Sequence, residues 1–202
     1  MAPYAWLLLA LLGFGAFHTM SANEGVRSAV LKRMNLSSHF YNGIRAAISF
    51  TLLILSVAVL FRMAERTIAF FPPLKGIPAI IPAMVALWIA GTALRQVAKA
   101  GRLPQFFGFQ EYPRLFIFSG AYALCRHPMY SGWLIASWGL MISKPFLLTL
   151  FYNLLLTALV VLIALQEERR MISLFGDKYA AYRKQTPFLL PYGFLIKQPH
   201  NC

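Results

Sequence analysis

Ser119-Gly120-Ala121-Tyr122-Ala123-Leu124-Cys125-Arg126-His127-Pro128-Met129-Tyr130-Ser131-Gly132-Trp133, together with the apolar run that follows it and ends in Gln166-Glu167-Glu168-Arg169-Arg170, decides how this chain folds. Residues 131–142 and 145–165 are apolar, and only Ser143-Lys144-Pro145 separates them. So short a link leaves room for nothing but a tight turn, which makes the two runs an antiparallel helical hairpin. A hairpin has two arms, so the polar cluster before the first arm and the glutamate pair after the second must return to one mouth. Ionisable groups at a membrane boundary are costly unless they pair or do chemistry.

Working outward, three more apolar runs occupy residues 4–17, 44–61 and 77–97, in a chain of 202 residues that is 59% hydrophobic and 12% charged. A soluble domain of this size could not bury them all, so the chain reads as an all-α, polytopic transmembrane helical bundle. About five spans are expected, the last two being the hairpin. The run at 131–142 and the first one are shorter than the roughly 20 residues a crossing needs, so they rely on flanking residues, tilt or burial against neighbours. One integral membrane domain covers 1–202, with a three-span part at 1–97 and a site-bearing part at 98–202. The N-terminus lacks a basic leader region and reads as a retained helix.

Nineteen Lys and Arg against six Asp and Glu give a net charge of +13. No polar domain exists to carry a nucleic-acid surface, so the excess is read as loop charge that sets orientation. Arg27, Lys32 and Arg33, then Lys99, Arg102, Arg114 and Arg126, then Arg169, Arg170, Lys178, Arg183 and Lys184 all fall in loops expected on the cytoplasmic side, which leaves the N-terminus outside. Residues 71–78 read as a rigid outer connector, and residues 98–112 as an interfacial one, too polar to cross. The last span overruns the bilayer as a charged extension through Leu174, with Gly176 as its stop. Asp177 then caps a short cytoplasmic helix holding Tyr179, Tyr182 and Arg183, ended by Thr186-Pro187. Thr149, Asn153 and Thr157 form one polar stripe for helix-to-helix bonding. Arg45 snorkels toward the boundary. Cys125 and Cys202 have neither metal-ligand nor disulfide spacing, and no metal is expected.

At the mouth, Pro128 keeps His127 out of helical geometry while pre-setting a helix start, so His127 can face a ligand. Glu167 and Glu168 lie about 100° apart around a helix, so one can turn inward while the other pairs outward. Taken singly, Arg126-His127 could be an interfacial anchor and the glutamates a solvated helix end. Their joint order is more specific: Gly-x-Tyr, Arg-His-Pro-x-Tyr, short helix, turn, long helix, glutamate pair, and then Phe175-Gly176-x-x-Tyr179-x-x-Tyr182 and Pro187.

That order, over roughly residues 114–192, resembles the C-terminal half of the isoprenylcysteine carboxyl methyltransferase family of integral membrane enzymes. His18 followed by Glu24 and Arg27 is similar to small bacterial relatives that methylate thiols. The resemblance implies S-adenosylmethionine as cofactor, held by Arg114, Leu115, Phe116, Ile117, Tyr122, His127, Pro128, Met129, Tyr130 and Glu167. It also implies a hydrophobic or lipid-like methyl acceptor in contact with membrane lipids, and a catalytic set of Arg126, His127, Tyr130 and Glu168. An inward Glu167 suits the cofactor's ammonium or ribose, Arg126 or His127 its carboxylate, and Tyr122 and Tyr130 its adenine or sulfonium. If the acceptor must lose a proton, Glu168, His127 or Tyr130 can take it.

One position departs from that family. Where its members carry an arginine one turn before the pocket glutamate, to hold a substrate carboxylate, this chain has Ile163. An apolar residue there fits a thiol or uncharged acceptor better than a carboxylate, which needs a paired cation once stripped of water. The competing expectation is a non-catalytic lipid-binding or assembly protein that retains the mouth as a structural staple. A transporter would need paired half-helices or an inverted repeat.

Overall fold

The computed structural model describes residues 2–63, 68–72, 77–99 and 116–190. Most of the expected connector at 98–112, together with Arg114, Leu115 and the final Pro191-Tyr192 of the resemblance, lies outside the described residues. The described chain is all-α: α1 (Ala2–Ala22), α2 (Glu24–Met34), α3 (Ser38–Met63), α4 (Ile77–Lys99), α5 (Ala121–Leu124), α6 (Pro128–Ser143), α7 (Leu147–Phe175) and α8 (Asp177–Gln185). Four of these, α1, α3, α4 and α7, are long and apolar enough to cross a bilayer. The chain is a multi-pass membrane protein.

The expected fifth crossing is α6, and at 16 residues it reaches about 24 Å, short of the roughly 30 Å of hydrocarbon. The five apolar runs thus form four helices of spanning length and one shorter apolar helix. The last span overruns the bilayer as expected, ending at Phe175 just before Gly176. α7 has 29 residues, about 43 Å.

The described residues divide into two compact units. The first contains α1, α2, α3, residues 68–72 and residues 144–159. Within it α1 packs along α3, and Leu7, Leu11 and Leu60 are buried. Two polar contacts tie these helices together where their apolar faces end: His18 Nδ1 lies 3.3 Å from Ser49 Oγ, and Tyr41 donates its hydroxyl to the Ser21 carbonyl at 2.9 Å. Helix α2 was not foreseen. Asn23 starts it by accepting the amides of Gly25 and Val26, and Asn35 ends it in the left-handed region at φ 49°; these are the residue types that do both jobs best. The hairpin tip is held at Phe146, where Leu147 donates its amide to Ile68 and Phe70 donates to Pro145, each at 2.8 Å. Thr149 and Asn153 of the expected polar stripe are fully buried, and Thr157 donates to the Asn153 carbonyl of its own helix at 2.6 Å.

The second unit contains α4, residues 116–143 and residues 160–190. Its frame is α6 lying along α4, so the third span, grouped by the sequence with the first two, packs with the site-bearing half. Close approach depends on glycine. A Cβ on Gly132 would meet the Ala86 carbonyl at 3.1 Å, and one on Gly139 would enter the Pro82 ring. Both positions let a short helix bury its backbone against a neighbour, the usual device where lipid offers no hydrophobic drive.

Candidate active site

Pro128 is the first residue of α6, and the Ser131 amide donates to the His127 carbonyl at 3.0 Å. His127 is thus the residue that caps the helix, as the His-Pro order implies. The far end of α7 comes back to it. His127 Nδ1 lies 3.6 Å from Glu167 Oε2, and His127 Nε2 lies 3.5 Å from Glu168 Oε1. The two clusters of the opening stretch, some forty residues apart in sequence, meet around one imidazole.

The glutamate that turns inward is Glu168, where an inward Glu167 was expected. Glu168 is 2% exposed, whereas the Glu167 side chain is 50% exposed. Glu168 is buried because each of its oxygens has a cation. Arg126 Nε lies 3.1 Å from Oε1 and Arg183 Nε lies 3.2 Å from Oε2. Arg126 Nε is close to Oε1 without the alignment of a hydrogen bond, so the attraction there is mainly Coulombic. A carboxylate withdrawn from water in this way is tolerable only with such partners. Arg126 in turn donates from Nη1 to the Arg183 carbonyl at 3.3 Å, which draws α8 onto the hairpin.

Two site residues escaped the sequence reading. Arg183 was read as loop charge, and Phe188 was not singled out. The Phe188 ring packs edge-on to His127, with centroids 5.3 Å apart, and the Arg126 guanidinium lies 5.3 Å from its centroid. The segment after α8 is laid back across the mouth by the Arg126 amide, which donates to Pro187 O at 2.8 Å, and by Ser131 Oγ, which donates to Leu189 O. Only the repeated bulky residues of 186–190 hinted at this. Gly176 ends α7 at φ 52° with its amide on Ile172 O at 2.9 Å, and it, rather than Asp177, holds the cap position of α8; no side chain caps that helix.

Of the other expected site residues, Tyr130 stacks on His127 at 5.6 Å, and Pro128 is fully buried at the helix start. Met129 lies beside it in the first turn of α6. Tyr122 sits in α5, and Tyr182 donates its hydroxyl to the Tyr122 carbonyl at 2.6 Å. Phe116 is enclosed by rings, with Tyr182 edge-on at 4.8 Å and Tyr179, Phe175 and Phe118 at 5.5 to 5.7 Å. Its neighbour Ile117 is half-buried. Ile163 is buried one turn before Glu167.

The phenols here resist ionisation. Burial first, and the Glu167 carboxylate second, push Tyr122 up to about 12. Burial is also the main cause raising Tyr179 and Tyr182, with Glu168 adding to it at Tyr179. The Cys125 thiol is raised by burial. These groups therefore offer neutral O–H donors and aromatic faces rather than anions.

A cation-lined mouth holding one buried and one exposed carboxylate can grip a ligand that carries both signs of charge. Among known proteins, the family described as phospholipid methyltransferase matches residues 74–178. The chain belongs to the phospholipid methyltransferase family. Like this chain's own motifs, its relatives point to the isoprenylcysteine enzymes. It is 32% identical over 145 residues to protein-S-isoprenylcysteine O-methyltransferase of Rattus norvegicus, covering 68% of this chain and 51% of the rat protein. It is 34% identical over 91 residues to methanethiol S-methyltransferase of Crocosphaera subtropica, covering 43% of this chain and 34% of that one. A Delta(14)-sterol reductase of Mus musculus is 32% identical over 96 residues, 44% of this chain and 23% of the mouse protein. The chain thus spans about half or less of these relatives. No solved structure matches it.

Proposed function

We propose that this member of the phospholipid methyltransferase family is an S-adenosylmethionine-dependent methyltransferase that works in the membrane on an apolar, lipid-like or thiol acceptor. The observation that carries the reading is His127 set between Glu167 and Glu168, all three within the residues the family matches. The cofactor fits the chemistry of these residues. It bears an ammonium and a sulfonium, and Glu167 is a half-exposed carboxylate beside neutral aromatic rings. Bound there, it would supply a methyl group already activated on sulfur.

In this reading the cofactor is held by Tyr122, His127, Pro128, Met129, Tyr130 and Glu167, with Arg114, Leu115, Phe116 and Ile117 along the preceding strip. Glu167 would suit the ammonium, and the Tyr122 and Tyr130 rings would suit the sulfonium. Arg126, His127, Tyr130 and Glu168 form the catalytic set. Glu168, with both oxygens committed to guanidiniums, acts as the hub that fixes Arg126 and the His127 ring. When bound, the cofactor would supply its methyl to the acceptor sulfur and leave as the neutral thioether, and His127, with Glu167 beside Nδ1, would hold the proton that a thiol acceptor gives up. Positioning and exclusion of water then supply most of the rate. Ile163 favours the thiol over a carboxylate acceptor. Loop charge puts this mouth and the C-terminus in the cytoplasm and the N-terminus outside.

The test is calorimetry of S-adenosylmethionine on the full chain in detergent, with His127→Ala and Glu167→Ala expected to abolish binding; unchanged binding in both removes the assignments. A labelled-methyl assay across a small thiol, an isoprenylcysteine and an amine phospholipid then names the acceptor, and Ile163→Arg is expected to gain carboxylate methylation. Similarity to a sterol reductase favours a second reading, in which the same mouth binds a hydride-donating nucleotide. Binding of that nucleotide in place of S-adenosylmethionine would establish it.

A further inference from the structure

Against the Arg126–Arg183 side chains, a cleft of about 350 Å³ is lined by Arg126, Ile172, Ala180, Arg183 and Lys184. Its size falls at the lower end of small-ligand sites, roughly 300 to 1,000 Å³. Three cations line it, and the one carboxylate they touch, Glu168, leaves two positive charges in excess. Each arginine gives only its Nε to Glu168, and Lys184 makes no ion pair among the described residues. Terminal guanidinium donors of Arg183 and the lysine ammonium are therefore available to an oxyanion, with Ile172 and Ala180 as an apolar wall.

Depth identifies the oxyanion. From Leu147 to Leu165 α7 carries no charge, about 28 Å, which matches the hydrocarbon core of about 30 Å. Ile172 lies about 10 Å past that point along the same helix. The cleft is thus level with the phosphates of the leaflet in which α7 ends, where basic pockets take anionic headgroups. We propose that this cleft binds the phosphate of an anionic phospholipid. The inference rests on the cleft and on the length of α7, and it holds whatever reaction the mouth performs.

Native mass spectrometry of the full chain, delipidated in neutral detergent, tests it with phosphatidylglycerol and phosphatidylcholine. A neutral micelle has no surface potential, so only direct contact selects between the two. One phosphatidylglycerol is expected to be retained in preference to phosphatidylcholine. Lys184→Gln should weaken it about fivefold, the worth of one basic side chain at an anionic headgroup. Lys178→Gln, on the same helix but outside the cleft, should not. No preference for the anionic lipid, or equal loss in both variants, overturns the cleft. Displacement of the lipid by soluble glycerol phosphate assigns the phosphate to a soluble ligand and overturns the lipid source. Displacement by S-adenosylhomocysteine overturns a separate site, whereas failure of cofactor binding alone leaves this result standing.

Discussion

Removing the charge of Glu168 should divide the two guanidiniums it holds into one that matters greatly and one that does not. The side chains of Arg126 and Glu168 are 10% and 3% exposed, but that of Arg183 is 48% exposed. Breaking a buried pair by deleting one partner costs about 3–5 kcal/mol, because the remaining charge stays stranded. An exposed pair is worth about 0.2–1 kcal/mol. Glu168→Gln alone should therefore cost about 3–4 kcal/mol and Arg183→Gln under 1 kcal/mol. A double-mutant cycle isolates the pairs. Arg126→Gln with Glu168→Gln should couple by about 2–3 kcal/mol, since removing both charges strands neither, while Arg183→Gln with Glu168→Gln should couple by less than about 1 kcal/mol. The assay is the midpoint of denaturation in mixed detergent, followed by the aromatic signal of the Phe116 cluster and its neighbours. Equal coupling in the two cycles, or a larger one at Arg183, would refute the view that burial sets the strength of this hub.

Two further perturbations separate packing from electrostatics. Gly139→Ala puts a methyl into the Pro82 ring, with helix backbone behind both, and should destabilise by about 1–3 kcal/mol; Gly132→Ala meets a carbonyl at 3.1 Å and should cost less, which thermal stability in detergent checks, and the reverse order would count against the α4–α6 contact. In alkali, the Tyr122 phenol is raised to about 12, above its unfolded value of about 10. Below pH 10 both states are protonated and nothing is lost. Between about pH 10 and 12 the unfolded chain ionises first, so stability falls as pH rises. Absorbance at the phenolate band should show Tyr122, Tyr179 and Tyr182 silent until the chain unfolds, and their titration near pH 10 in folded protein would contradict the burial described here.

What could be read from the residues alone follows the physics of each feature. Apolar runs and the three-residue link at Ser143-Lys144-Pro145 force the hairpin, and hairpin topology brings Arg126-His127 to Glu167-Glu168 without knowledge of any packing. Pro128 likewise announces its helix start. The choice between Glu167 and Glu168 was not legible, because a rotation of about 100° about α7 decides it and that rotation is set by tertiary contacts. Arg183 and Phe188 reach the mouth by the fold-back of the tail, which has no periodic signal. Helix α2 is short and polar, visible only through its two asparagine caps. The shortness of α6 is legible in the run at 131–142, but not its partner, because apolar composition does not distinguish a helix facing lipid from one pressed against α4 through Gly132 and Gly139.

The unequal burial of the two glutamates bears on how such a mouth can work. A carboxylate buried between two arginines offers a cationic ligand no net attraction, so the half-exposed member of the pair is the one that can meet it. With Glu168 as the hub, each arginine is anchored through its Nε, the strap bearing Phe188 packs against Arg126, and Glu167 is left half-exposed beside His127 Nδ1. Charge-assisted contacts are strongest where the acceptor is held in place before the ligand arrives. One adjacent pair of identical side chains thus divides the labour of building the site and meeting the ligand, and the division follows from which of them the helix turns toward Arg126.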